Sequence, residues 1–433
     1  MKRYLPAVFL GTCVAAGVQA APNPNIVLIV ADDLGYGDLS IQGCKEFSTP
    51  HIDSIAQAGI RFTSGYVTCP VCAPSRAGLM SGRYQDRFGF SGNPEPGAKW
   101  GLPAGEQTIA SMLKATGYRT AAFGKWHLGE DAPYRPTARG FDEFYGFLSG
   151  MHSYFKAEDP KWGPIVRGDA EPAKLDKYLT FKLADEACAF VESAKDNPFF
   201  LYLAFNAPHT PMEAPPEYLA KTKQIKDRRR ATYAAMVMAL DDAVGQVLKS
   251  IADAGIEENT LIVFLSDNGG ATIDGSERNG SSNAPLRGSK AQLWEGGIRV
   301  PFFISWPGKI SAGQIIDVPI ISLDLFPTFA ALAGTEAPAK ADGLDLSELL
   351  RGEIKNLPAR DFFWRFYDTQ AAVRSGDMKW VRIAPDRGLY NISEDCAEAS
   401  NLIDHSGAEL EKLRSLWQAW DQKNIRQILP QEK

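Results

Sequence analysis

Three long apolar runs constrain this chain more than any other feature. They are Asn25-Ile26-Val27-Leu28-Ile29-Val30-Ala31, the segment Pro198 to Phe205, and Thr260 to Ser266. None alternates polar with apolar residues, so none can turn one face to water. Each reads as a strand buried on both faces, the condition of strands in a helix-covered parallel sheet. Tyr118 to Phe123 is a further strand. Helical spacing occupies the intervals: Thr49–Ala56, with Pro50 in the first turn, Thr108–Lys114, stopping before Gly117, Leu179–Ala194 and Tyr233–Ile251. Strand and helix therefore alternate, which predicts an α/β fold with a large, mostly parallel central sheet flanked by helices. At 433 residues and 45% hydrophobic content the chain can bury such a core.

The strands end in polar residues. Asp32 and Asp33 follow the first run, Lys125 and His127 follow Phe123, His209 follows Phe205, and Asp267 and Asn268 follow Ser266. Ligands of open α/β sheets bind beyond the carboxyl ends of strands. Each residue also has an ordinary reading: aspartates in turns or caps, a solvated lysine, a hydrogen-bonded histidine. Lys125 and His127 are two apart, so an extended chain would put them on one face. A β-leaning run, Ile60 to Thr68, closes at Cys69-Pro70, and Cys72-Ala73-Pro74-Ser75-Arg76 then opens a helix, with Pro74 in its first turn. Cys72 thus stands at a helix N-terminus, where anions are favoured.

Cys72-Ala73-Pro74-Ser75-Arg76 with Ser81-Gly82-Arg83 resembles the signature of the type I, formylglycine-dependent sulfatases. That family usually has Leu-Thr-Gly-Arg where this chain has Met80-Ser81-Gly82-Arg83. Gly124-Lys125-Trp126-His127-Leu128-Gly129, Asn206-Ala207-Pro208-His209, Asp267-Asn268-Gly269-Gly270, the segment Pro285 to Lys290 and Trp294 to Pro301 resemble the same family in order. Ser289 replaces a frequent glycine. The resemblance runs from about Asn25 to about Leu350 and implies the alkaline-phosphatase-like fold.

It also implies a chemistry. Asp32, Asp33, Asp267 and Asn268 form an all-oxygen set for a hard cation, Ca²⁺ ahead of Mg²⁺, with the modified Cys72 completing the shell. Cys72, oxidised by a formylglycine-generating maturation enzyme, provides the nucleophile. Arg76 positions it, Lys125 and Lys290 bind sulfate oxygens, His209 with Lys290 protonates the leaving alcohol, and His127 takes a proton in the second half-reaction. The expected activity is sulfuric ester hydrolysis on an aryl sulfate or, more in keeping with an exported enzyme, a sulfated glycan. Two other readings stay open on the residues: a phosphate or phosphonate ester hydrolase of the same superfamily, and a non-catalytic carbohydrate-binding protein with unmodified Cys72.

From about Pro358 the pattern changes to short alternating strands, followed by a helix near Ala408–Trp420. This predicts a small C-terminal α+β subdomain carrying a short antiparallel sheet. Lys2-Arg3, the apolar stretch Leu5–Val18 and Val18-Gln19-Ala20 read as a signal peptide. The expected organisation is therefore residues 1–20 as signal, 21–357 as catalytic domain and 358–433 as C-terminal subdomain. The destination is the periplasm or the exterior. A lipoprotein reading at Cys13 is weakened by Thr12 before it, and the apolar stretch is too short to insert stably in a membrane. Losing the leader leaves 44 basic against 52 acidic residues, a net −8, which argues against nucleic-acid binding. Cys44, Cys69, Cys188 and Cys396 could pair in an oxidising compartment, in a connectivity the sequence leaves open. Phe147–Ala173 reads as a loop-rich, substrate-facing insertion containing His152. Trp100, Tyr154, Phe155, Trp162 and Trp294 are candidate sugar-stacking platforms.

Overall fold

The computed structural model describes residues 23–426 except 274, 276 and 277. The expected leader lies outside the described residues. The framework, in chain order, begins with β1 (Asn25–Ala31), α1 (Pro50–Gln57), β2 (Ile60–Phe62), α2 (Cys72–Ser81), α3 (Ile109–Ala115), β3 (Arg119–Lys125) and β4 (Glu143–Phe147). It continues with β5 (Val166–Arg167), β6 (Glu171–Pro172), α4 (Leu179–Ala194), β7 (Phe199–Ala204), α5 (Arg228–Asp253), β8 (Thr260–Ser266), β9 (Phe302–Ser305), β10 (Gln314–Ile316) and α6 (Leu325–Leu332). These strands form one ten-stranded sheet, ordered β10–β2–β9–β8–β1–β7–β3–β4–β5–β6.

The centre, β8–β1–β7–β3–β4, is parallel throughout. The flanks turn antiparallel at β8–β9, β9–β2, β4–β5 and β5–β6. β1 explains the apolar run. Ile26, Leu28 and Val30 feed one core under α2, α3 and α6, while Val27, Ile29 and Ala31 feed a second under α1, α4 and α5. All six are fully buried. Each such aliphatic side chain contributes about 1.5–3 kcal/mol by leaving water.

The expected strand over Ile60–Thr68 is instead two pieces, β2 and the short Gly65–Tyr66. A Cβ on Gly65 would lie 2.4 Å from that of Phe302, so the chain passes too close to β9 for a regular strand to continue. The insertion Phe147–Ala173 is not wholly irregular, because it supplies β5 and β6 to the sheet edge. His152, expected at a rim, is fully buried, with its ring nitrogens 2.8 and 3.0 Å from Ser153 O and Gly163 O.

The C-terminal sheet is β11 (Asp361–Phe366), β12 (Gln370–Ser375), β13 (Met378–Ile383) and β14 (Asp386–Asn391), an antiparallel meander covered by α7 (Gly407–Asp421). It packs on the region around Tyr66, Cys69, Leu293 and Trp294 through Phe362, Trp364 and Phe366. Among the described residues no helix is long and apolar enough to cross a membrane.

Candidate active site

The parallel core carries its strand-end residues to one place. Asp32 and Asp33 follow β1, and Asp267 and Asn268 follow β8 in register beside them. α2 arrives from the first core face, its N-terminus bringing Cys72 Sγ to 3.5 Å from Asp32 Oδ1 and 4.0 Å from Asp33 Oδ1. Arg76, one turn on, donates through Nε to Asp267 Oδ2 at 2.9 Å and through Nη1 to Lys125 O at 3.0 Å. Lys125 Nζ lies 2.7 Å from Asp32 Oδ2, and Lys290 Nζ 2.9 Å from Asp33 Oδ2 and 3.3 Å from His209 Nε2. All ten residues singled out from the sequence converge here, and none is more than 6% exposed. Charges in such a dry enclosure act far more strongly than at a surface.

The expectation that Lys125 and His127 share a face of an extended chain is wrong in its geometry. His127 is left-handed, with φ 59°, and the chain turns there. Trp126 N donates to Phe147 O and His127 N to Leu148 O, both at 3.0 Å. Gly124, at φ 111°, begins the departure; a Cβ there would sit 1.9 Å from Ala204 O. The two side chains reach the site through this turn and not through strand alternation. The His127 ring then lies against Gly150, where a Cβ would approach it to 2.7 Å.

Asp33 is also left-handed, at φ 60°. Its N–H donates to Asp267 Oδ1 at 3.2 Å, and its carbonyl accepts from Asn279 Nδ2 at 3.1 Å. Asn279, fully buried, also reaches Pro208 O at 3.4 Å, beside His209. Tyr202, from β7, accepts from Arg76 Nη1 at its hydroxyl. Tyr154 donates its hydroxyl toward Asn206 O and His209 O. Asn279 and Tyr202 were not found from the sequence. Both act through partners more than 70 positions away, and nothing local marks them.

Burial works to raise the Asp32 pKa, but Lys125, His209 and Arg76 outweigh it and hold the carboxyl well below its usual range. Burial, with Asp32 beside it, pushes Asp267 up to about 7. Burial pushes the Cys72 thiol well up, so the unmodified side chain is a poor nucleophile. Burial and then Lys125 push His127 well below its ordinary value, and burial lowers His209.

A cation fits these residues. One ligand atom each from Asp32, Asp33, Cys72 and His209 lies within 4.8 Å of the others. Asn268 donates Nδ2 to Asp33 Oδ1 at 2.7 Å and to Gly269 O at 2.9 Å, which leaves Oδ1 buried with no hydrogen-bond partner. A carboxamide oxygen so oriented, beside three carboxylates, is the donor set of a hard divalent ion.

The sulfatase family profile matches residues 24–335, which span every one of the ten residues. The chain belongs to the sulfatase family. It is a sulfuric ester hydrolase. A second profile, the C-terminal region of N-sulphoglucosamine sulphohydrolase, matches residues 289–423. Human arylsulfatase A is 37% identical over 397 residues, covering 84% of this sulfatase and 76% of that protein. Rat N-acetylgalactosamine-6-sulfatase is 36% identical over 403 residues, covering 87% and 74%. The crystal structure of Ps i-CgsB in complex with k-i-k-neocarrahexaose matches with a TM-score of 0.89 at 36% identity over 95% of each chain.

The remaining sequence expectations fare unevenly in this sulfatase. Cys44, Cys69, Cys72, Cys188 and Cys396 are all free thiols. Of the five aromatic candidates, Tyr154 and Trp294 are buried, the latter under the Arg287 guanidinium at 3.7 Å, so neither offers a face to sugar. Trp100 packs edge-on against Phe90. Trp162 is half-buried, with Lys161 over its ring, and Phe155 is 49% exposed.

Proposed function

We propose that this sulfatase removes sulfate from a sulfated glycan of the galactan kind, with Cys72 carried as formylglycine and Ca²⁺ held by Asp32, Asp33, Asp267 and Asn268. The observation that carries the mechanism is Cys72 Sγ 3.5 Å from Asp32, inside a buried set of three carboxylates and three cationic side chains. The glycan class is supported by similarity along nearly the whole chain to Ps i-CgsB, whose structure holds a neocarrahexaose. Export through the N-terminal leader, and maturation by a formylglycine-generating enzyme, belong to the same reading.

The formylglycine hydrate would supply the oxygen that attacks sulfur, and the cation would neutralise sulfate charge and acidify that hydroxyl. Arg76 fixes Asp267 through Nε and Nη2, the latter at 2.8 Å, and holds the Lys125 carbonyl, so nucleophile helix and ligand strand move as one unit. Lys125 and Lys290 are the ammonium donors available to sulfate oxygens. His127, kept neutral by burial, has a buried Nδ1 with no partner and can accept a proton. His209 directs Nδ1 at Thr210 O, 2.6 Å away, so Nδ1 carries the hydrogen and Nε2 faces the Lys290 ammonium. The proton for the leaving alcohol therefore comes from the Lys290–His209 pair acting together, not from an isolated imidazolium.

The test is sulfate release from a panel of sulfated galactan oligosaccharides by purified secreted protein, beside matched aryl sulfate and aryl phosphate esters. Intact mass should show residue 72 lighter than cysteine by about 18 Da, and Cys72→Ala should lose turnover while keeping its fold. Turnover of the aryl phosphate above the aryl sulfate would overturn the reading, as would full activity with unmodified Cys72.

A further inference from the structure

Lys290 is carried on a strained segment. Ala291, next to it, is left-handed with φ 66°, a conformation a side-chain-bearing residue keeps only when its surroundings impose it. Two contacts come from the catalytic region and one is a turn within the segment itself. Lys290 N donates to Gly270 O at 3.1 Å, Gln292 N to Ser289 O at 3.0 Å, and Ala291 N to Pro70 O at 2.9 Å, two residues before Cys72. The other two come from the C-terminal sheet through one side chain. Gln370 Oε1 accepts from Leu293 N at 3.0 Å, and Gln370 Nε2 donates to Ala291 O at 2.8 Å.

The amide has one workable orientation. Flipped, it would set Nε2 against the Leu293 N–H and Oε1 against the Ala291 carbonyl. Gln370 is itself fixed, paired with Phe366 on one side and Ile383 on the other at the start of β12. It therefore brackets the left-handed residue between Lys290 and Leu293 from a rigid support.

We propose that Gln370 is a positioning residue for sulfate ester hydrolysis: through Ala291 and Leu293 it sets where the Lys290 ammonium stands relative to Asp33 and His209. The inference rests on the role given above to Lys290. Removing the clamp lets Ala291 relax toward a right-handed conformation and swings Lys290 away from the leaving oxygen. The proposed metal ligands, just beyond the ends of β1 and β8, keep their places.

The experiment uses the full-length enzyme with its metal. kcat and KM are measured on aryl sulfates of graded leaving-group pKa for wild type, Gln370→Ala, the near-isosteric Gln370→Glu, Lys290→Ala and the double variant Gln370→Ala/Lys290→Ala. Glutamate keeps the acceptor for Leu293 N but loses the donor to Ala291 O. It therefore tests the clamp even if the alanine variant folds poorly. Both Gln370 variants should lose about tenfold in kcat on the poorest leaving group and less on the best, with bound metal unchanged and any rise in KM alike for every leaving group. In the Lys290→Ala background the further loss should be under about twofold, because the clamp then has nothing to place. Equal losses on every leaving group, or an undiminished loss in the double variant, would show that Gln370 only holds the fold together. A flat leaving-group dependence for Lys290→Ala itself would remove the role assigned to Lys290, and this inference with it.

Discussion

His127 and His209 share one dry enclosure and differ in what their nitrogens face. His127 presents a buried Nδ1 with no partner, whereas His209 is committed at Nδ1 to Thr210 O and at Nε2 to Lys290. Their loss should therefore read differently. His209→Ala should depend steeply on leaving-group pKa, since an activated phenol needs little protonation. His127→Ala should bring sugar and activated aryl sulfates to one low turnover, because the step it serves follows departure of the alcohol. A leaving-group series on both variants decides, and the reverse pattern would exchange the roles. The ligand assignment has its own check. Asp32→Ala or Asp267→Ala should lose bound Ca²⁺ with activity, and undiminished metal by elemental analysis in both would make these residues turn-formers. The convergence of the ten candidate residues was legible because each stands at a strand end or in a family-like motif. Asn279, Tyr202 and Gln370 were not, since each works through an amide or hydroxyl aimed at a distant backbone or guanidinium. The sugar platforms failed for a related reason: aromatic residues pack cores far more often than they face ligand, and Tyr154 and Trp294 do so here.

Among the helices, α2 is buried along its whole length. All ten of its residues are buried, and Gly78 lies so near Thr68 that a Cβ would fall 2.5 Å from Oγ1. The helix can pack against the loop at Thr68, four residues before Cys72, because position 78 has no side chain. Gly78→Ala should push the helix outward, costing about 1–3 kcal/mol of stability and more activity than that loss explains. Denaturant midpoints beside kcat on one aryl sulfate would test this; an unchanged kcat would mean that Thr68 yields instead. The elements themselves were readable from periodicity. Continuous apolar runs became β1, β7 and β8, and 3.6-residue spacing became α1, α4 and α5. The insertion after Phe147 was not readable, because two-residue strands such as β5 and β6 carry no pattern. The turn at His127 was hidden for a different reason: a lysine and a histidine two apart look the same whether the histidine is extended or left-handed.

At the scale of the molecule, the sequence showed that a second sheet exists but not how it is attached. The attachment pairs residues far apart in the chain. Lys379 Nζ lies 2.8 Å from Glu295 Oε1 and 2.9 Å from Glu398 Oε1, Arg374 donates to the Tyr66 hydroxyl at 2.6 Å, and Arg365 pairs with Asp86 at 3.0 Å. Charges buried in a seam tie its strength to pH. Burial, with Glu295 beside it, pushes Glu398 up to about 7, and burial pushes Asp86 up to about 6 despite Arg365. A carboxyl raised on folding favours the folded state when protonated. Its contribution is complete below the ordinary carboxylate range and is lost as pH rises through 6 to 7. Glu295 runs the other way. Burial works against its ionisation, but Lys379, Arg299 and Arg374 outweigh it and bring it down to about 2, so its contribution is lost as pH falls toward that value. The signs place the seam's maximum stability at roughly pH 4 to 4.5, where Glu295 has its full effect and the loss from Asp86 and Glu398 is only beginning. The metal-saturated enzyme should melt lower at pH 8 than at pH 5.5, by roughly 1 °C for each kcal/mol of linkage lost in a chain of this length. Glu398→Gln should shrink that difference whatever its own midpoint, because it removes the group whose ionisation the seam resists. An equal fall from pH 5.5 to 8 in wild type and Glu398→Gln would place the titration elsewhere. A rise in wild type would mean that the Lys379–Glu398 attraction outweighs the burial of the second carboxylate.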